Sequence, residues 1–402
     1  MKKKYLAWMI NGGEINIRSH DFIIQKLSQN FDKIYYINIL NLGFFKSQIK
    51  KNFLTGENLP YNLIYYEPKN FFEFRNFLKD KKLIAISNFG KDFEDLKKHF
   101  ILNFLDIDFI QISNVGNIQW SYHANNDKLY TKVKFRLAKF YTQKLVNLLS
   151  IFSLVPKVQI RFLSNLKIIE NIKKNKIKNF LLKLKLFHAK ELILINSRTH
   201  DEFFENKIIP SEEFIVLLDS DLDHPDDLMA GQKYTEEEYN THYDNLKSLL
   251  EKLSKKFNKK VIITVHPRSN LDQKKKIFPN YQVFKHRTQE FISKAFLVLF
   301  FDSSAIVDGI LLKKKIVTLI SDILGRLSKD GSNKYSNLVG FYQFNLNEID
   351  NFQDTKVVAE AEKRILLYDK YIFQNISPDG KNLGYKKIIE TIKKRFFEEN
   401  KS

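Results

Sequence analysis

The stretch VIITVHPRSN, residues 261–270, places a histidine and an arginine around a proline directly after an apolar run. The run has the composition of a strand buried in a sheet. Open α/β sheets bind their ligands outside the carboxyl ends of the strands. His266, Pro267 and Arg268 are therefore candidates for a binding site at the edge of a parallel sheet.

A second polar turn follows the next strongly apolar segment, FLVLFF, residues 296–301. The turn consists of Asp302, Ser303 and Ser304, and a helix is predicted immediately beyond it. We expect one of the two serines to be the N-cap, so that its hydroxyl and the first backbone N–H groups can bind an anion. The histidine and arginine of the first turn would donate to the same phosphate. The alternative is that the serine only caps its helix and that the first turn is merely polar.

The surrounding sequence alternates short apolar runs with amphipathic stretches, which predicts parallel strands covered by helices. Two Rossmann-like halves account for this order, and ELILINS, residues 191–197, is taken as the first strand of the second half. The predicted domains are 1–190 and 191–370. Residues 371–402 are predicted to end in a helix that crosses back to the first domain, after SPDGKNLG, residues 377–384, forms a turn.

The composition excludes several kinds of chemistry. The chain has no cysteine, so disulfides, thiolate catalysis and thiolate-bound zinc are excluded.

The net charge of +20 is concentrated in residues 127–190, which contain 16 Lys/Arg and only two Asp/Glu. These basic residues alternate with Phe, Leu and Ile, which predicts helices with one apolar and one cationic face, suited to an anionic membrane surface. The alternative is that these lysines bind nothing and that lysine is simply the usual surface residue of this chain. No nucleic-acid-binding motif is present, so nucleic acid is not an expected partner.

The order of the two polar turns resembles the C-terminal half of GT-B glycosyltransferases. It is similar in particular to bacterial sialyltransferases and polysialyltransferases and to CDP-glycerol glycerophosphotransferases, whose His-Pro and Ser-Ser loops hold the phosphate of a cytidine nucleotide. The stretch FIVLLDSDLDHPDD, residues 214–227, also resembles the opening of this domain in capsule and lipopolysaccharide glycosyltransferases. The residues that match the two loops are His266, Pro267, Ser303 and Ser304, flanked by Asp302 and Asp308.

This resemblance implies an α/β enzyme of the GT-B type, with two Rossmann-like domains facing across a cleft and extra basic helices in the N-terminal half. The second domain would bind the nucleotide-sugar donor and the first a glycan or glycolipid acceptor. The implied reaction transfers a nonulosonic acid from its CMP ester to a bacterial capsule, lipopolysaccharide or lipooligosaccharide. GT-B enzymes generally need no metal for catalysis, so neither a metal nor another cofactor is expected.

Transfer requires that the charge of the departing phosphate be stabilised, and this is the catalytic role expected of His266, together with Arg268. A general base is also needed to deprotonate the acceptor hydroxyl. The loop after the first predicted strand, NGGEINIRSHD, residues 11–21, offers Glu14, with His20 as a second candidate. The residues before Glu14 are predicted to approach the substrate through their backbone, since glycine lacks a Cβ. They are Asn11, Gly12 and Gly13. This segment could instead be only a tight strand-to-helix turn.

An acidic loop supplies Asp219, Asp221 and His224 as further substrate-binding candidates and a rival source of the base. Its Asp-x-Asp pattern is also the one by which GT-A glycosyltransferases hold Mn²⁺ or Mg²⁺ against a nucleotide diphosphate. Two aspartates two residues apart are common in sequences, and LDIDF at residues 105–109 has the same spacing. We therefore expect a loop that faces the acceptor or solvent rather than a metal site.

Two other functions remain open. The same fold could use a UDP-sugar or resemble the UDP-N-acetylglucosamine 2-epimerases. A non-catalytic basic protein that binds nucleic acid or lipid is the other possibility. The apolar run YLAWMI, residues 5–10, is too short for a signal peptide, and no stretch approaches the roughly 20 apolar residues that span a bilayer. The sequence thus predicts a cytoplasmic protein that could rest on the inner membrane.

Overall fold

The structure is a computed structural model that describes residues 3–10, 17–39, 42, 62–87, 102–105, 107–113, 149, 158–183, 189–206, 209–220, 222, 234–266, 269–324 and 326–398. Contacts divide the chain into two compact units. The first unit comprises Met1–Val115, Leu129–Glu202 and Ser377–Ser402. The second comprises Gly116–Lys128 and Phe203–Ile376.

The first unit is built on a parallel sheet of seven strands in the order β3-β2-β1-β4-β5-β6-β7. The strands are β1 Lys3–Ile10, β2 Ile34–Asn38, β3 Leu63–Tyr66, β4 Lys81–Ser87, β5 Ile107–Ser113, β6 Val158–Leu163 and β7 Ala189–Leu194. The helices in the first part of the chain are α1 Ile17–Ser28, α2 Phe71–Phe77, α3 Leu166–Lys174, α4 Lys176–Lys183 and α5 Arg198–Glu205.

Strand β1 shows why this sheet is buried on both faces. Four successive residues, Leu6 to Met9, are all buried. Because side chains alternate between the two faces of a strand, Leu6 and Trp8 enter one apolar cluster while Ala7 and Met9 enter another. A near-continuous apolar run is what a parallel strand covered on both sides requires.

The second unit has a parallel sheet of six strands in the order β10-β9-β8-β11-β12-β13. The strands are β8 Phe214–Asp219, β9 Lys260–Val265, β10 Gln282–Lys285, β11 Ala295–Phe300, β12 Lys315–Ile320 and β13 Tyr342–Asn345. The helices are α6 Glu236–Phe257, α7 Leu271–Ile277, α8 Thr288–Ser293, α9 Ile306–Leu311, α10 Arg326–Val339, α11 Asp354–Lys363 and α12 Tyr368–Tyr371. Short 3₁₀ segments at Leu346–Asn351 and Arg364–Leu367 and a π-helical turn at Ile372–Ile376 complete this part.

The two sheets share one topology. Numbered from the first strand of each unit, both follow the Rossmann order 3-2-1-4-5-6, and the first sheet adds a seventh strand. The order reverses between the first and fourth strands, which are β1 and β4 in one unit and β8 and β11 in the other. The prediction of two Rossmann-like halves is confirmed. In sheets of this order the reversal point marks the crevice where ligands bind.

One strand assignment from the sequence is wrong. The sequence predicts ELILINS as the first strand of the second half, but residues 191–194 belong to β7, which pairs with β6 in the first sheet. Strand β6, VQIRFL, went unrecognised because it lies within the basic segment. Its polar residues alternate with Ile160 and Phe162, which pack into the core.

The end of the chain returns to the first unit. Helix α13, Gly384–Ile392, continues into a π-helical turn at Lys393–Phe397. Its buried face enters the same apolar cluster as Trp8 and Ile23. That face consists of Tyr385, Ile388, Ile389 and Ile392. Among the residues described, no helix is long and apolar enough to cross a membrane.

Candidate functional site

Three polar residues form a row across the reversal point of the second sheet. The strand register pairs Asp219 with Val265 and Leu218 with Phe300. One or two residues further along each chain, Ser220 therefore lies between His266 after β9 and Asp302 after β11. Neighbouring strands are about 4.8 Å apart, so the three residues stand side by side at one edge of the sheet.

Ser220 joins the two sides of the reversal point. Its hydroxyl donates a hydrogen bond to Oδ1 of Asp302, and both residues are half-buried. The contact joins the end of β8 to the end of β11, which are far apart in sequence. Sequence reasoning missed Ser220 because its acidic neighbours drew attention to the Asp-x-Asp pattern. Its place directly after a buried strand was the available signal.

The Ser-Ser turn differs from the expected cap. Helix α9 has only six residues, its N-cap is Ala305, and no side chain caps it. The prediction that Ser303 or Ser304 is the N-cap is wrong, because both serines precede the N-cap. Their backbone carbonyls accept hydrogen bonds from the N–H groups of Ile306 and Val307. The hydroxyl of Ser303 instead accepts a hydrogen bond from the Ala305 N–H at 3.3 Å. Ser304 is exposed at the same edge.

Asp308 lies further along α9 and is half-buried. Its Oδ1 accepts a hydrogen bond at 3.4 Å from Nε2 of Gln289, in helix α8. This contact links two helices of the second unit. Asp308 thus has a partner within the fold besides the role in substrate binding predicted for it.

His266 is exposed on a turn that is fixed by its own backbone. The His266 carbonyl accepts a hydrogen bond from the N–H of Ser269 at 3.0 Å, and Ser269 is buried. Asn270 then caps α7 by accepting from the N–H groups of Asp272 and Gln273. The imidazole is therefore presented at the sheet edge from a turn that leads straight into a capped helix.

Asp219 points into the protein rather than toward the edge. Its Oδ2 lies 2.6 Å from Nζ of Lys274, and the two side chains are 1% and 2% exposed. Lys274 also donates to the hydroxyl of Tyr243 at 2.8 Å. Burial, as the largest cause, raises the pKa of Tyr243 above its ordinary value. The carboxylate predicted to bind substrate is thus engaged in a buried ion pair directly behind the row.

His242 neighbours this ion pair from α6. It is 2% exposed, and its ring lies 5.6 Å from that of Phe301, which directly precedes Asp302. Burial, and secondarily the charge of Lys274, lowers the pKa of His242 to about 4. The imidazole is therefore neutral at physiological pH.

Several candidates lie outside the described residues, and the structure says nothing of them. His20 belongs to α1, but its side chain is outside the described part. The others are Asn11, Gly12, Gly13, Glu14, Asp221, His224, Pro267 and Arg268. The described ranges contain no cluster of three or more His, Asp or Glu residues that could hold a metal ion.

A buried polar cluster in the first unit fastens the segment before α13. Asn196 accepts from the N–H of Asp379 at 2.8 Å and donates to the carbonyls of Gly380 and Asn382 at 2.7 and 2.6 Å. Asp201 accepts from the N–H groups that begin α13. A Cβ at Gly384 would lie 2.5 Å from the Asn196 carbonyl oxygen, so this close approach needs glycine. The predicted turn at 377–384 therefore docks onto the first unit.

Comparison with known proteins gives structural likeness without sequence likeness. No family model matches the chain, and no curated protein is significantly similar to it. UGT2 of Phytolacca americana, solved with UDP-2-fluoro-glucose and pterostilbene, is 10% identical with a TM-score of 0.52, covering 98% of this chain and 100% of that one. A variant of the wall teichoic acid polymerase TagF is 13% identical with a TM-score of 0.50, covering 98% and 88%. Together with the two Rossmann-type sheets, these likenesses show that the chain has the GT-B fold.

Proposed function

We propose that this protein is a glycosyltransferase that binds a nucleotide-activated sugar at the carboxyl edge of its second sheet. One observation carries the proposal: His266, Ser220 and Asp302 lie in a row across the reversal point of a Rossmann-type sheet. This is where sheets of this order bind their ligands. The GT-B fold supports a transferase, although fold alone does not determine function.

The chemistry of the row suits a departing nucleotide. Negative charge develops on the leaving phosphate as the sugar is transferred, so donors placed there stabilise the transition state. The imidazole of His266 and the hydroxyls of Ser303 and Ser304 are the donors at this edge, and Arg268 adds positive charge by sequence. Asp302 would repel a phosphate, so we assign it to a hydroxyl of the ribose or sugar, for which a carboxylate is a good acceptor.

The donor we propose is a CMP-activated nonulosonic acid, and the acceptor is a capsule, lipopolysaccharide or lipooligosaccharide chain. The His-Pro and Ser-Ser motifs support a cytidine nucleotide through their resemblance to cytidine-dependent transferases. The likeness to UGT2, solved with a UDP-sugar analogue, favours a UDP donor as the alternative. We assign deprotonation of the acceptor hydroxyl to Glu14, with His20 as the second choice.

A nucleotide screen tests the proposal. We expect CMP or CDP at about one hundred times its Kd to raise the melting temperature by about 5 °C, and GDP to have no effect. A shift with UDP alone would replace the cytidine donor with the alternative. No shift with CMP, CDP, UDP or GDP, together with strongly salt-dependent binding to RNA, would overturn the proposal in favour of a non-catalytic basic protein.

The same assay tests the site. His266→Ala removes a donor to the phosphate, so we expect nucleotide affinity to fall by about tenfold or more. Lys260→Ala is the matched control, because Lys260 begins the same strand, β9, at the opposite edge of the sheet. It should bind nucleotide like the unaltered protein. Equal affinities of the two variants would remove His266 from the site.

We also propose an anionic membrane surface as a partner, bound through α3 and α4. Residues 166–183 carry six lysines and one glutamate. Two large apolar side chains one helical turn apart, Ile177 and Phe180, are 72% and 61% exposed on α4. Neighbouring lysines are also exposed, and each contributes about 1 kcal/mol close to an anionic bilayer. An apolar pair surrounded by cations matches an interfacial helix, whose apolar side chains enter the headgroup region.

Vesicle sedimentation tests this partner. We expect binding to phosphatidylcholine vesicles with about one quarter phosphatidylglycerol, and weak binding to pure phosphatidylcholine. The double variant Ile177→Ser/Phe180→Ser should reduce partitioning about tenfold. The control Leu366→Ser/Phe373→Ser removes equally exposed apolar residues from the second unit and should leave binding unchanged. Equal losses in both variants, or equal binding to both vesicle types, would contradict the proposal.

A further inference from the structure

We propose that Asp219 and Lys274 are positioning residues, whose buried ion pair ties together the two strand ends that present Ser220 and His266. The inference rests on the proposed function in that the row they support is the donor site. It differs from the sequence-based prediction, in which Asp219 touches substrate. Here Asp219 acts through its neighbours in the fold.

The contacts of Lys274 join three separate elements. Its ammonium lies 2.6 Å from the carboxylate of Asp219 at the end of β8 and 2.8 Å from the hydroxyl of Tyr243 on α6. It also lies 5.1 Å from the centre of the Tyr243 ring. All three residues are buried, and Lys274 itself stands on α7. A single ammonium group therefore connects α6, α7 and the end of β8.

The ion pair reaches both ends of the candidate site through short, hydrogen-bonded links. On one side, Asp219 is directly followed by Ser220. On the other side, α7 is capped by Asn270, and the turn before the cap is closed by the bond from Ser269 N–H to the His266 carbonyl. A shift of α7 relative to β8 would move His266 relative to Ser220. The ion pair opposes that shift.

Stability alone does not account for this pair. Taking two charges out of water is costly, and well-packed apolar side chains in place of a buried ion pair are often as stable or more so. Beside the pair, the rings of Tyr243 and Phe278 pack against each other within the main apolar cluster of the second unit. A charged pair in such a place constrains direction and distance, which apolar packing does not.

The chain supplies a matched control at the opposite edge of the same sheet. Lys314 is 5% exposed and donates at 2.6 Å to the carbonyl of Ser211. Ser211 precedes β8 and Lys314 precedes β12, so this contact lies at the amino ends of the strands. Lys314→Met should cost stability as a buried lysine contact does, without disturbing the row at the carboxyl ends.

Hydrogen exchange of the unliganded full-length protein tests the positioning role directly. We expect Lys274→Met to speed exchange of the amides of Ser220, His266, Ser269 and Asn270 by about tenfold, while Lys314→Met leaves these amides unchanged. Should Lys274→Met fail to fold, the charge-balanced double variant Asp219→Asn/Lys274→Met replaces it. That double variant should recover stability but keep the fast exchange. Normal protection in the double variant, or equal effects of Lys274→Met and Lys314→Met, would overturn the inference.

Nucleotide binding gives a second measurement, taken well below each melting temperature so that all the protein is folded. The double variant should bind the stabilising nucleotide about tenfold more weakly than Lys314→Met does. Equal affinities would overturn the positioning role. If the unaltered protein binds no nucleotide, the proposed function fails, while the exchange experiment still decides whether the ion pair orders the row.

Discussion

His242 couples the stability of the second unit to pH. Its two ring nitrogens have no hydrogen-bond partner among the described residues, and burial lowers its pKa to about 4. In the unfolded chain the same group takes up a proton below about pH 6.5. The folded state thus loses stability as pH falls from about 6.5 toward 4, by about 3 kcal/mol in total. Above pH 6.5 the group is neutral in both states and contributes no slope.

Urea unfolding at pH 7 and pH 5 measures this effect. We expect His242→Leu to lose about 2 kcal/mol less between these two pH values than the unaltered protein does, because leucine binds no proton. Leu249→Ala is the control, since it removes a buried apolar side chain from the same helix without removing a titrating group and should leave the pH slope unchanged. Identical slopes for His242→Leu and the unaltered protein would show that His242 does not titrate in this way.

The residues of the row were only partly predictable. His266 and Asp302 follow strongly apolar runs, and a polar residue directly after a buried strand is a visible signal. Ser220 carries the same signal but lies between two aspartates, whose charges suggested a metal or substrate contact. The ion pair of Asp219 with Lys274 spans two elements far apart in sequence. No spacing rule reveals a partner that only the packing of α7 against β8 brings near.

At the scale of elements, the sequence predicts those strands and helices that have a clear periodic pattern of apolar residues. Strand β1 is a buried apolar run and helix α6 carries a long amphipathic pattern, and both patterns are strong signals of secondary structure in the sequence. Helix α6 also has a capping box between Thr235 and Glu238 and ends at Asn258 in the left-handed region. Strand β6 was missed because lysines around it favoured helices. The predicted N-cap of α9 was wrong because the chain makes one turn before the helix begins. A backbone turn of this kind cannot be recognised from amino-acid composition.

The docking of α13 is another element that the sequence indicated only in outline. The Pro/Gly turn at 377–384 was visible, and so was the helix after it. What holds them is a pair of buried acceptors, Asn196 and Asp201, on the loop after β7 and on α5. A carboxylate at a helix N-terminus stabilises the first N–H groups. Here that carboxylate is 183 residues away in sequence, on the far side of residues 203–376 of the second unit.

At the scale of the whole molecule, both sheets have the same strand order, and polar side chains lie at the reversal point of the second sheet. Fold class followed from the alternation of apolar runs, because each parallel strand needs a helical crossover. The unit to which each strand belongs could not be predicted from the sequence, because it depends on which sheet edge the strand joins. Strand β7 and helix α13 both complete the first unit, and residues 203–376 of the second unit lie between them in sequence.

This arrangement predicts that the two units depend differently on the end of the chain. Deleting residues 377–402 removes the buried face of α13 from the first unit's core. Its four large apolar side chains contribute about 6 kcal/mol or more together, which is comparable to the stability of a whole domain. The second unit keeps its own apolar clusters.

Hydrogen exchange followed by mass spectrometry distinguishes the two units in the truncated protein. Amides of β6, in the first unit, should lose protection, while those of β9, in the second, should remain protected. Deleting only residues 399–402 is the control and should change neither strand, because α13 and its π-helical turn stay intact. Protection of β6 after the longer deletion would mean that the first unit folds without its last helix, and the core assigned to Trp8, Ile23 and α13 would then need another explanation.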